Sequence, residues 1–342
     1  IAEIEAAVAR IAALTQEQQA ERARLAELEE QREREVAALQ AARREREQAV
    51  AAVNAQLRDR TAALDKARRD AATLEKLVAD LRRALERDEF RVYYQPIVAL
   101  RDGRAMGFEA LLRWQHPERG LVPPDRIIPV AEESGLILAI DYWVMSEACR
   151  QLSAWHRQFP VEPPLTLNVN LSGKHFTRPD LADRIDAILQ TSGVPPRSLR
   201  LEITESVIME NVNLAIVTLK QLHALGLQIA IDDFGIGYSS LGYLVQLPVD
   251  TLKIDRSFVS RMAQESGKAE IVQTIVTLAR NLGMTAIAEG IETAEQRDRL
   301  AALGCDHGQG YLIATPMDRE AATAWLARRL AEAERAPQGT DV

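Results

Sequence analysis

The chain has 342 residues, a formal net charge of −8, a pI near 5.4, 47% hydrophobic and 27% charged residues, enough for a large core plus an extension. The acidic balance argues against a passive nucleic-acid or anionic-membrane surface, so neither DNA nor RNA is an expected partner. No apolar run nears the roughly 20 residues that cross a bilayer, no secretory signal is visible, and Cys149 and Cys305 suggest no disulfide framework, so a reducing cytoplasm is the expected compartment. Because the sequence starts at Ile1 rather than Met, we expect the C-terminal portion of something longer, with a sensor, and any membrane tether, upstream.

Residues 1–85 contain neither Gly nor Pro and are rich in Ala, Glu, Arg, Leu and Gln. With Ile1 at heptad position a, one register runs through Ile4, Val8, Ile11, Leu25, Val36, Leu39, Val50, Val53, Leu57 and Leu64 to Leu74, Val78, Leu81 and Leu85. A seven-residue repeat sustained over about twelve heptads predicts an α-helical coiled coil, most simply a parallel homodimer. Arg22, Glu29, Arg32, Arg43, Arg46 and Arg60 fall on the seam, so the middle should associate less firmly than the ends. The alternative is a lone solvated helix.

From Asp88 the pattern changes. Strands are predicted at 91–98 and 106–114, helices at 127–132 and 136–156, and then short apolar runs alternate with amphipathic helices. Further strands fall at 165–171, 199–204, 228–232, 251–254, 285–288 and near 306–309; the helices between and after them at 179–190, 213–225, 268–282, 294–303 and 319–331. Eight strands in this alternation predict a (βα)8 TIM-like barrel over residues 86–331, leaving 332–342 as a flexible tail.

The stretch 228–241 organises the barrel. A buried strand, Ile229-Ala230-Ile231, runs into Asp232-Asp233 and then a Gly235-x-Gly237 turn. On a regular strand the paired aspartates would point to opposite faces, one toward a pocket. Asp and Gly are also ordinary turn formers, so the stretch alone decides nothing. The other predicted strand ends carry Asn170, Glu202, Lys253, Glu289 and Gln309, and Glu109 sits inside the second strand. Working residues of such barrels gather at the C-terminal rim. Two carboxylates ~4 Å apart repel by about 1 kcal/mol in water and about 4 at an effective dielectric near 20. Raised pKa values or bound cations relieve that repulsion, and oxygen donors without His or Cys select hard ions such as Mg2+ or Mn2+. Two such ions would polarise a phosphoryl oxygen and activate water, and Lys253 would orient that water, move a proton or stabilise charge. A buried structural lysine is the plainer reading of Lys253, and His307 is read as structural.

These residues are similar to a known family. Glu109-Ala110-Leu111-Leu112-Arg113-Trp114 resembles the signature that names the EAL-domain cyclic di-GMP phosphodiesterases. The likeness continues in family order through Tyr94-Gln95-Pro96, Asn170-Leu171-Ser172, Leu201-Glu202-Ile203-Thr204-Glu205, Asp232-Asp233-Phe234-Gly235, Leu252-Lys253-Ile254-Asp255, Ala288-Glu289-Gly290 with Glu292, and Gln309-Gly310-Tyr311. The resemblance implies a modified barrel with one strand reversed. It also implies hydrolysis of cyclic di-GMP to linear pGpG with Mg2+ or Mn2+. Glu109, Asn170, Glu202 and Asp232 would hold metal, with Asp232 bridging; Asp233 and Glu289 would complete a second site. Lys253 would contact the attacking water, and Glu289 would share in proton transfer. Gln95, Leu111, Arg113, Asp255, Glu292, Gln309 and Pro316 would line the dinucleotide pocket. Glu205 would brace the loop after Asp233, which couples dimer contacts to metal binding.

The chain departs from the family pattern at Ile236, where Thr is usual, at Thr315 before Pro316, where a basic residue is usual, and at Ile127, where Phe is common. A non-catalytic cyclic di-GMP receptor is the alternative function, and a coiled-coil scaffold with an inert barrel a third. A metal-dependent enolising barrel would also place carboxylates and lysines at strand ends.

Overall fold

The structure, a computed structural model, describes residues 1–236, 241–262 and 266–335. Gly237, Tyr238, Ser239 and Ser240 of the turn after the paired aspartates, and residues 336–342 of the expected tail, lie outside the described residues. The chain divides into two units, Ile1–Leu74 and Glu75–Val342.

The first unit is helical from Ala2 onward, part of helix α1 (Ala2–Glu86). Strong helix formers and the absence of breakers explain its length, and exposed i,i+4 pairs such as Arg43–Glu47 at 3.0 Å add a few tenths of a kcal/mol each. Large apolar side chains along it, among them Val8, Ile11, Leu39, Val53 and Leu57, are exposed, and Leu74 at its end is half-buried. Residues 75–86 of the same helix belong to the second unit, where Leu81 and Ala84 are fully buried.

Among the described residues the second unit contains nine strands: β1 (Phe90–Ala99), β2 (Ala105–His116), β3 (Gly120–Val122), β4 (Thr166–Asn170), β5 (Leu199–Thr204), β6 (Gln228–Phe234), β7 (Thr251–Ile254), β8 (Thr285–Ala288) and β9 (His307–Gly308). Eight of them close a ring in the order β1-β9-β8-β7-β6-β5-β4-β2-β1, with β3 paired to the outer end of β2. β1 is antiparallel to both neighbours, and the remaining ring contacts are parallel, so the reversed strand expected from the resemblance is present. Helices α2 (Ile128–Ser134), α3 (Ile137–Gln158), α4 (Leu181–Ser192), α5 (Glu205–Glu210), α6 (Val212–Ala224), α7 (Leu241–Leu244), α8 (Arg256–Arg261), α9 (Ser266–Asn281), α10 (Ala294–Ala302) and α11 (Arg319–Arg335) occupy the connections and the C-terminus.

β5, β7 and β8 occupy the predicted positions, and β6 runs two residues further. The short β3, α5, α7 and α8 carry too few residues to show a period, and pattern reading did not register them. α11 continues to Arg335, four residues past its predicted end, so 332–335 are helical rather than tail.

The outer shell around β1 and β2 positions part of the site. Phe108 stacks on Trp155 with centroids 4.5 Å apart, Tyr94 meets Trp155 edge-on at 5.0 Å, and Trp325 meets Phe108 at 5.8 Å. Alternation along a strand then turns the adjacent Glu109 and Gln95, which pair across β1 and β2, toward the opposite face. Burying these rings anchors two strands whose polar residues face inward.

Candidate active site

Lys253 is the centre of the barrel mouth. Its side chain is 1% exposed, and Nζ lies 2.6 Å from Glu289 Oε1, 2.8 Å from Glu202 Oε1, 3.0 Å from Asp232 Oδ1 and 3.8 Å from Glu109 Oε2. One ammonium thus faces four carboxylates drawn from β2, β5, β6 and the end of β8. Burial alone would depress the lysine, but Asp232, Glu109, Glu202 and Glu289 outweigh it and hold Lys253 well above the usual lysine range.

The carboxylates respond unequally. Burial pushes Glu109 up, but Lys253 and hydrogen bonds from Gln309 and Asn170 more than cancel it, leaving Glu109 below the ordinary range. Gln309 Nε2 donates to Glu109 Oε2 at 2.6 Å, and Asn170 Nδ2 donates to Oε1 at 3.1 Å. Burial and then Glu109 raise Glu202 well above a normal carboxylate. Burial, opposed by Lys253 and reinforced by Asp232 and Glu109, lifts Glu289 to about 8. Burial and then Asp232 lift Asp233 to about 6.

Asp233 corrects the expectation for the paired aspartates. Its backbone is left-handed, φ 53°, and the β6–β7 register shifts between Ile231 and Phe234. Regular alternation is therefore broken, and oxygens of Asp232, Asp233 and Glu289 come within 4.8 Å of one another instead of two aspartates facing apart. Asp tolerates this conformation better than most residues because its short side chain bonds locally. Gly235 follows at φ 99°, and a Cβ there would sit 3.1 Å from the Phe258 ring. Its N–H donates to Glu205 Oε2 at 3.0 Å, so the buried Glu205 ties α5 to the loop beyond β6. Asp255 caps α8 by accepting from Ser257 N–H at 2.8 Å and lies beside Asp233.

Of the remaining sequence candidates, Gln95 stands opposite Glu109 in the strand register and Leu111 shares a cavity with Asn170. Gln95 is buried and donates to the Ala314 carbonyl at 3.2 Å, beside Thr315 and Pro316. Half-buried Arg113 lies over the Tyr93 ring, 5.5 Å from its centroid, with Tyr311 close by. Leu111 lines a cavity of about 310 Å3 together with Ile128, Ile137, Asn170, Leu171 and Val207. Glu292 is exposed, with its backbone N–H donating to Gln296 Oε1 at 2.8 Å; Pro316 is half-buried. Of the departures, Ile127 is fully buried and Ile236 is 61% exposed. His307 is pushed down to about 4 by burial and then Arg200, which leaves it neutral.

Sequence reading passed over Asn168 and Arg200. Asn168 Nδ2 donates to Glu202 Oε1 at 2.7 Å, and Arg200 Nη1 reaches Asn168 Oδ1 at 3.5 Å. The available signal was their position two residues before Asn170 and Glu202, hence on the same strand faces.

Glu202 Oε2, Asp232 Oδ1 and Gln309 Oε1 accept no hydrogen bond among the described residues, although Asp232 Oδ1 lies 3.0 Å from Lys253 Nζ. Buried polar atoms in folded proteins rarely lack partners. Orphaned oxygens in an all-oxygen, anionic cluster fit one or two hard divalent cations.

Residues 78–316 match the EAL domain family. The chain belongs to that family.

The chain is 44% identical over 256 residues to the bifunctional diguanylate cyclase/cyclic di-GMP phosphodiesterase MucR of Pseudomonas aeruginosa, covering 74% of this chain and 36% of that protein. It is 40% identical over 247 residues to the cyclic di-GMP phosphodiesterase NbdA of the same organism, covering 72% and 31%. The chain therefore spans about a third of the length of these relatives. Among solved structures, the PaMucR phosphodiesterase in complex with c-di-GMP superposes with a TM-score of 0.69 at 44% identity, over 72% of this chain and 99% of that one. The FimX EAL domain from P. aeruginosa bound to c-di-GMP superposes with a TM-score of 0.64 at 29% identity, over 70% and 96%.

Proposed function

We propose that this EAL domain hydrolyses cyclic di-GMP to linear pGpG with Mg2+ or Mn2+. The observation that carries the reading is the arrangement at the barrel mouth, four carboxylates around buried Lys253 with acceptor oxygens to spare. In this reading Glu109, Asn170, Glu202 and Asp232 hold one cation, and Asp232 with Asp233 and Glu289 a second. When bound, the cations supply Lewis acidity toward the scissile phosphate and lower the pKa of water. Lys253 orients the attacking water and offsets the charge that grows on the phosphate. Glu289 shares in proton transfer. Gln95, Leu111, Arg113, Asp255, Glu292, Gln309 and Pro316 contact the dinucleotide, with Arg113 facing a phosphate.

We further propose that the helix of residues 1–85 pairs with a second copy as a coiled coil as far as Leu74, its last turns being buried in the barrel unit instead, that residues 86–331 form the catalytic barrel, and that the barrels also touch in the dimer. An upstream sensor would shift the coil between arrangements and act through Glu205 and Gly235 on the paired aspartates. Among the described residues no helix is long and apolar enough to cross a membrane. The free thiols Cys149 and Cys305 suit a reducing cytoplasm, where we place the barrel.

Turnover decides the central proposal. Incubation of the full chain with cyclic di-GMP and Mg2+ or Mn2+ should yield the linear dinucleotide, and chelator should stop it. Tight binding without cleavage at every metal concentration would instead assign a receptor.

A further inference from the structure

Beneath the carboxylate cluster lies a polar layer that the proposed mechanism leaves unused. Strand register sets Asn168 of β4 beside Arg200 of β5, and Arg200 beside Gln228 of β6. Asn168 is 0% and Arg200 6% exposed, so these polar groups are held inside the barrel. Arg200 Nη2 donates to Gln228 Oε1 at 2.7 Å and Nη1 to Asn168 Oδ1 at 3.5 Å, while Asn168 Nδ2 donates to Glu202 Oε1 at 2.7 Å. A guanidinium offers only donors and a primary amide one donor end and one acceptor end. With Arg200 on one side, the Asn168 amide has to present its nitrogen to Glu202. Lys253 Nζ approaches the same Glu202 oxygen at 2.8 Å, which leaves Oε2 without a hydrogen bond among the described residues.

We propose that Asn168, oriented by Arg200, is a positioning residue that pins Glu202 through Oε1 so that Oε2 is offered to a divalent cation. The inference rests on the reading of Glu202 as a metal ligand. A side chain that merely filled the barrel would be indifferent to which end of its amide faced Glu202; a positioning residue is not. Groups that orient metal ligands typically change metal affinity 10–100-fold when removed.

The test is Mn2+ binding to the full chain, followed by electron paramagnetic resonance, for wild type, Asn168→Ala, Asn168→Asp, Arg200→Met and Glu202→Ala. Asn168→Ala should weaken Mn2+ binding about 10–100-fold. Excess Mn2+ should then restore turnover, with KM for cyclic di-GMP within about twofold of wild type. Asn168→Asp keeps the shape but turns an oxygen toward Glu202, so it should bind Mn2+ no better than Asn168→Ala; it carries the test if the alanine variant fails to fold. Adding Arg200→Met to Asn168→Ala should cost less than the two separate losses combined, because both act through one amide. Wild-type Mn2+ affinity in a folded Asn168→Asp, alongside lost affinity in Glu202→Ala, overturns the positioning role and leaves the metal reading standing. Undiminished affinity in Glu202→Ala, or no Mn2+ binding by wild type, overturns both.

Discussion

Lys253 is the single residue on which the site's electrostatics turns. Removing one partner of a buried charge cluster typically costs 3–5 kcal/mol, because the groups left behind stay desolvated and unpaired. Lys253→Met should therefore abolish turnover and lower the Tm of the metal-free protein, and millimolar Mg2+ should recover much of the Tm but none of the activity. A variant as stable as wild type without metal would mean that the carboxylates are already protonated. The pH dependence follows from Asp233 near 6 and Glu289 near 8, both above their ordinary values of 3.8 and 4.5. Between those limits the folded metal-free protein holds protons that the unfolded chain has released, so its stability falls as pH rises from about 4 to about 8. Cations require the ionised forms, so their binding releases protons. Differential scanning fluorimetry should give a lower metal-free Tm at pH 8 than at pH 6, and a larger gain from Mg2+ at pH 8. Equal gains at both values would show that neither carboxylate is perturbed.

β6 and the loop behind it form the element where conformation and chemistry meet. Non-glycine residues held in the left-handed region cost of order 1–3 kcal/mol and persist where the surroundings impose them. Here Asp233 sits at φ 53°, and Glu205 holds the next turn through the Gly235 N–H at 3.0 Å. Gly235→Ala combines a strained φ with a crowded Cβ, 3.1 Å from Phe258 and 3.3 Å from Ile275. It should destabilise the barrel by about 1–3 kcal/mol in urea unfolding, with turnover lost before the fold as Asp233 moves. Helix α1 is the other element with a testable demand. Val50, Val53 and Leu57 are 53%, 61% and 62% exposed, an arrangement a seven-residue repeat explains by a second helix. Replacing Val50 and Val53 with Asp should shift the full chain toward monomer in sedimentation velocity, while Arg43→Ile with Arg46→Leu should tighten the dimer. A chain that is monomeric before any change would refute the coiled coil.

At the scale of the whole molecule, the division at Leu74 and Glu75 makes the role of the long helix measurable. A deletion must stop at residue 74, because Leu81 and Ala84 are fully buried in the second unit. Residues 75–342 alone should keep the Tm of the barrel within about 2 °C but show turnover that rises with protein concentration, as pairing then depends on barrel contacts alone. Unchanged specific activity across a hundredfold dilution would separate the helix from regulation.

Much of this protein was legible without coordinates. The heptads, the alternation of strands with helices, and the carboxylates, lysine and glutamine at strand ends follow from local periodicity and side-chain chemistry, which need no knowledge of distant neighbours. Long-range closure decided the rest. Only the ring of strands brings Glu109 and Gln309, two hundred positions apart in the chain, to a 2.6 Å hydrogen bond. Only the break in β6 turns Asp233 to the same side as Asp232, against the alternation that a strand alone would impose. Asn168 and Arg200 reveal themselves as polar partners only inside a barrel, since a buried amide or guanidinium must find its hydrogen bonds across strands that the sequence keeps apart.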